Sequence, residues 1–175
     1  MNERAASAVE AADTPEQFLT FLLGKEMFGV DILPIMEIIE YRVPTDVPMM
    51  PPALRGVINL RGAVVPVVDL AQRFGRGPSE ISKRSCIVIL EVNQGEERHV
   101  LGLLVDAVSE VLEIHASDIA PPPSFGAGIR RDFMHGMGKV GERFVILLDT
   151  DAVLAADELA ALSGAAAWDA AEGAG

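Results

Sequence analysis

The chain carries a weak internal repeat, and that repeat limits its possible folds more than any other feature. FGVDILPIMEII, residues 28–39, lines up with LGLLVDAVSEVL, residues 101–112, so that Gly29 falls on Gly102 and Glu37 on Glu110. GVINLRGAVVPVVD, from Gly56 to Asp69, lines up with GMGKVGERFVILLD, from Gly136 to Asp149, with the same spacing from Gly to Asp. The chain therefore reads as two copies of one small unit. A single copy of about 65 residues would have only a marginal core, so the copies must pack on each other. Such packing leaves a groove at the junction, where binding sites usually form.

Each copy is mostly strand. QFLTFLL, FGVDI, GVINL, AVVPVVDL, SCIVILEV, HVLGLLV, SEVLEI, GMGKV and RFVILLD are short, rich in Val, Ile, Leu and Phe, and bounded by turn residues. Short antiparallel strands leave exposed edges unless the sheet closes, so the expectation is a closed or nearly closed all-β architecture. Pro66 should place its strand at an edge or a bulge. GKEMFG and NQGEER read as hairpin connections. DIAPPPSFGAGIRRD, 118–132, reads as an irregular connector, and DTDAVLAADELAALS, 149–163, as one C-terminal helix. Asp69 and Asp149 end matching strands, and each is expected to cap the turn or short helix after its strand. Residues 16–163 should form the ordered domain, with disordered tails at 1–15 and 164–175. Trp168 is the one large apolar residue in the second tail.

Composition excludes several functions. A net charge of -12 repels phosphate backbones and anionic lipid, and nine aromatics are too few for a nucleic-acid-binding barrel face. No apolar run approaches the roughly 20 residues of a membrane span, and the start lacks a signal-peptide core, so a cytoplasmic protein is expected. The single Cys86, inside CIVIL, reads as a core residue in a reducing compartment. His99, His115 and His135 are scattered without metal-ligand spacing. Neither a phosphate-cradling glycine loop nor a GxSxG turn occurs. No enzyme, metal or cofactor is expected.

Two residues remain to be explained. IMEIIEY is strand-like and should present Glu37 outward beside Ile35 and Ile39, a charge within an apolar patch. Arg61 lies between two apolar runs, VINL and AVVPVVDL, and could pair with Glu37 or with a partner's carboxylate. The second copy has Gly141 where the first has Arg61. The unit therefore needs no arginine there to fold, and Arg61 should have a local task, such as an interface contact.

The stretch from Gln17 to Gly75, with FGVDI, the EII of IMEII and GVINLRGAVVPVVDL, closely resembles the opening half of the CheW family of chemotaxis coupling proteins. LGLLVDAVSEVLEI and FVILLD extend the resemblance to about residue 162, and no receiver or kinase segment is found. The resemblance implies two small five-stranded SH3-like barrels packed around a hydrophobic groove, with a C-terminal helix. It also implies a non-enzymatic adaptor that bridges the cytoplasmic tips of chemoreceptors to the regulatory domain of a CheA-type histidine kinase, in arrays at the membrane. The partner-binding residues it implies are Val30, Ile35, Glu37, Ile38, Gly56, Asn59 and Arg61. Pro34 and Met36 depart from the family's usual text beside that site. An adaptor of a chemosensory pathway for pili or development, or a small-barrel module with other partners, are the alternatives.

Overall fold

The structure is a computed structural model that describes residues 15–94, 96–123 and 130–155. The expected tails, Trp168, the middle of the proline-glycine connector and most of the expected C-terminal helix lie outside the described residues.

Among the described residues, alternating and continuous apolar runs become eleven strands. They are β1 (Glu16–Leu23), β2 (Glu26–Asp31), β3 (Ile35–Glu40), β4 (Leu54–Leu60), β5 (Ala63–Asp69), β6 (Cys86–Gln94), β7 (Glu97–Val105), β8 (Ala107–Ile114), β9 (Ile119–Ala120), β10 (Met134–Val140) and β11 (Arg143–Leu148). Two single helical turns, α1 (Leu70–Arg73) and α2 (Thr150–Val153), come directly after β5 and β11. Asp69 and Asp149 cap them, each side chain accepting from the backbone N–H three residues on. The connector that reads as wholly irregular contains β9 and a 3-10 turn at Arg131–Phe133.

The strands form two sheets, ordered β8-β1-β2-β11-β10-β9 and β3-β6-β7-β5-β4. The repeat is thus present but interchanged. In each sheet the first two strands of one copy sit among the later strands of the other, β1 and β2 among β8 to β11 and β6 and β7 among β3 to β5. Two parallel pairings stitch the exchange: Gly29 lies opposite Leu147, and Gly102 opposite Val67. Neither copy can complete a sheet alone, which is how a marginal 65-residue unit becomes part of one cooperative body.

Two expectations need correction. Neither sheet closes into a barrel by a continuous ladder. In the second sheet the edge strands β3 and β4 are linked through one isolated bridge, Thr45 with Val57, and in the first sheet, of six strands rather than five, β9 supplies a two-residue rung to β10. Pro66 lies in an interior strand, between β4 and β7. It is tolerated because its partner Val57 directs both backbone groups to Thr45, so this pair needs no N–H from residue 66, and because it stands one residue before the first β5–β7 pair.

Each sheet has a small core of its own, one around Ile58, Val67, Ile87 and Leu104, the other around Phe18, Ile114, Val145 and Leu147. The largest cluster lies between the sheets. Four phenylalanines run through that region, with Phe21–Phe28, Phe28–Phe74 and Phe74–Phe133 ring centroids 6.0, 5.6 and 6.0 Å apart. The junction is therefore filled by core. The concavity that remains along it, of about 570 Å³, is lined by Phe18, Leu33, Pro34 and Leu148 together with five carboxylates. The expected hydrophobic groove is acidic at this point because the apolar side chains have been taken into the core beneath.

Candidate functional site

The site is built on the hairpin between β4 and β5. Leu60 pairs with Ala63, leaving Arg61 and Gly62 as a two-residue turn with φ of 52° and 86°. Two positive φ values mark a type I′ turn, which matches strand twist and favours Asn-Gly or Gly-Gly. Asn59 supports it, its side-chain Oδ1 accepting from the Gly62 N–H at 2.8 Å. Arginine in the left-handed region is uncommon and costs conformational energy. A residue kept in that conformation where glycine would relax points to a use outside folding.

That use begins with Glu37. The Arg61 guanidinium meets the Glu37 carboxylate through both terminal nitrogens, Nη1 to Oε2 at 2.6 Å and Nη2 to Oε1 at 3.2 Å. This is the fork-to-fork geometry of arginine and carboxylate. The hydrogen bond and charge of Glu37 hold the Arg61 pKa above its ordinary value, so the guanidinium is a fixed cation. The Arg61 side chain is 74% exposed and that of Glu37 27%. The arginine thus retains N–H groups facing solvent for a further acceptor.

Glu37 stands near the middle of β3. The β3–β6 register slips between Ile35 and Glu37, and exposure alternates along the strand. Ile35, Glu37 and Ile39 are half-buried, whereas Met36 and Ile38 are exposed. Glu37 therefore lies on the inner side of the strand with Ile35 and Ile39, and the outward apolar face belongs to Met36 and Ile38: the alternation holds, but the face expected to point outward points inward.

Beside the pair lies an apolar groove of about 750 Å³, lined by Met36, Leu60, Val64, Val65 and Val100, with Arg61 and Arg98 among its polar residues. Met36 and Val64 are each more than half exposed. Met36, Val64 and Arg98 were not among the sequence candidates. Val64 could have been found from its place just after the Arg61-Gly62 turn, at the exposed end of β5, whereas Arg98 is brought to the groove only by the fold.

The remaining candidates fall elsewhere. Val30 is fully buried in the core between the sheets and presents no surface to a partner, a correction to its expected place in a groove. Ile35 is partly buried against that same core, and Ile38 is exposed. Gly56 is buried at φ 138°, where a Cβ would stand 2.2 Å from the Thr45 carbonyl oxygen. Its task is to let β4 bulge beneath the bridge to Thr45. Asn59 shapes the turn. Glu37, Asn59 and Arg61 are brought together, Ile38 lies on the outer side of the same strand, and Val30 and Gly56 support the scaffold.

Among the described residues no group of His, Cys, Asp and Glu could hold a metal ion, and no helix is long and apolar enough to cross a membrane.

The CheW-like domain family model matches residues 17–158. The chain is 35% identical over 151 residues to the chemotaxis protein CheW of Klebsiella aerogenes, covering 86% of this chain and 89% of that one. It is 31% identical over 120 residues to protein FrzA of Myxococcus xanthus, covering 68% and 72%. In three dimensions it is similar to the crystal structure of the scaffolding protein TtCheW from Thermoanaerobacter tengcongensis, with a TM-score of 0.70 and 36% identity over 77% of this chain and 84% of that one.

Proposed function

The chain belongs to the CheW family, and from that premise we infer that it is a non-enzymatic adaptor coupling chemoreceptors to a CheA-type histidine kinase. Members of the family act as scaffolds, so signal passes as geometry across contacts and not as chemistry on a substrate. The cytoplasmic tip of a chemoreceptor and the regulatory domain of the kinase are the partners, and the adaptor works in the cytoplasm, recruited to receptor arrays at the membrane.

One observation carries the assignment of the contact site: an exposed arginine held in a left-handed turn, bound at both ends of its fork to Glu37, at the edge of an apolar groove. A helical partner would lay apolar side chains against Met36, Val64 and Val100 and set its orientation by a polar contact to Arg61 or Glu37. Titration of wild type and Arg61→Ala against a receptor cytoplasmic fragment and a kinase regulatory domain tests this, with a melt of each variant as control. Binding of both partners by wild type, and weakening by about tenfold of at least one in a normally melting variant, is the expected result. Failure of the wild type to bind either would remove the assignment.

A further inference from the structure

The two edge strands of the second sheet, β3 and β4, have no ladder between them, yet the Arg61–Glu37 contact spans that gap. Something must hold the edges in register. Thr45 does so at one point, exchanging both backbone hydrogen bonds with Val57 at 2.8 and 2.9 Å. On an antiparallel edge the next residue whose backbone faces the same way is two further on, Asn59. Its carbonyl would be an unpaired edge acceptor. Arg42, two residues past the end of β3, fills that rung with a side chain, Nη1 donating to the Asn59 carbonyl at 3.0 Å. Asn59 is also the residue whose side chain holds the Gly62 N–H. Arg42 is thereby connected through one residue to the turn that carries Arg61.

We propose that Arg42 is a positioning residue for the coupling site, stapling the β4–β5 turn to the end of β3 so that Arg61 is presented to Glu37 and to a partner. This rests on the reading of Arg61 as a contact residue. The two arginines cross the open seam in opposite directions, Arg61 from the β4–β5 turn to β3 and Arg42 from the end of β3 to β4. The second copy has His115, Lys139 and Gly141 at the positions of Arg42, Asn59 and Arg61, and closes the same edge with backbone, Ala120 opposite Met137 and Ile119 opposite Gly138. In the first copy a side chain supplies this rung beside the arginine turn.

The test is a double-mutant cycle read by binding to the receptor fragment and the kinase regulatory domain, with Arg42→Ala, Arg42→Lys, Arg61→Ala and the double variant. Arg42→Ala should weaken binding about fivefold with a melt close to wild type, and Arg42→Lys should recover part of the loss. In the Arg61→Ala background, removing Arg42 should cost almost nothing further. In the free protein, Arg42→Ala should shift the Gly62 amide and Arg61 Nε–H resonances. Wild-type binding by Arg42→Ala, or losses that multiply in the double variant, would overturn the positioning role while leaving the contact role of Arg61 intact. If Arg61→Ala itself bound both partners normally, both readings would fall together.

Discussion

The β4–β5 and β10–β11 hairpins are the same construction used twice. Each slips register at a glycine, Gly56 and Gly136, each turns over two residues, and each ends on an aspartate that caps a helical turn. They differ where nothing in the fold requires a difference. The first turn is Arg61-Gly62 with both φ positive, whereas in the second only Gly141 has a positive φ, 62°, as a type II′ turn requires. What the hairpins share is what the sheet needs, and what they do not share marks the site. The end of the hairpin departs as well. Asp69 is fully buried and accepts from Arg55 Nε, from both the N–H and hydroxyl of Ser79, and from Gln72 N, whereas its counterpart Asp149 is exposed.

The largest effect should separate the two aspartates. Asp69→Ala leaves Arg55 without its carboxylate in a partly buried place and frees the loop at Ser79, so chemical denaturation should show a loss of about 3 kcal/mol. Asp149→Ala removes an exposed cap and should cost about 1 kcal/mol. Equal losses would mean that the two ends are energetically alike. Next come the glycines. Gly56→Ala combines a positive φ with a Cβ 2.2 Å from a carbonyl oxygen and should cost about 3 kcal/mol. Gly136→Ala meets Ile119 Cγ2 at 2.6 Å and the Ala120 oxygen at 2.8 Å without a positive φ, and should cost less.

A swap of the turn residues sharpens the contrast. Gly141→Arg places an arginine in the left-handed region of a turn that glycine fills without strain, so its melting temperature should fall while binding of receptor fragment and kinase domain stays unchanged. A gain of binding by that variant would show that any arginine on either hairpin suffices. The smallest effect concerns pH. Arg130 holds the Asp132 carboxyl below its ordinary value of 3.8 through a hydrogen bond to the charged form. A lowered folded pKa contributes stability that is present above the unfolded value and lost as pH falls through the folded one. The contribution is slight because the group is exposed, but an NMR titration should place the Asp132 midpoint below 3.8, and Arg130→Ala should return it upward.

Much of this contrast is legible in the sequence. Glycine-to-aspartate spacing shows the repeat because both residues are required by backbone geometry at fixed offsets. The absence of an arginine at Gly141 singles out Arg61. The interchange of the copies is not legible, because the parallel pairings of Gly29 with Leu147 and Gly102 with Val67 join segments distant in the chain, and local alternation says nothing about which strand lies alongside. The same interchange draws Val30 into the core. The side on which Glu37 lies departs from expectation because alternation groups it with Ile35 and Ile39 but does not say which of the two faces turns inward. The acidic junction is hidden because its carboxylates come from β1, β2, β6 and the ends of β11 and α2, brought together only by the fold.

The central claim is that Arg61 is kept for a partner at some cost to the backbone. Arg61→Gly tests it most directly, since glycine restores an unstrained left-handed turn and removes the guanidinium in one change. The account predicts a melting temperature equal to or above wild type together with binding to the receptor fragment or the kinase regulatory domain weakened by at least about tenfold. A variant that melts well below wild type, or that binds both partners as tightly as wild type, would contradict it.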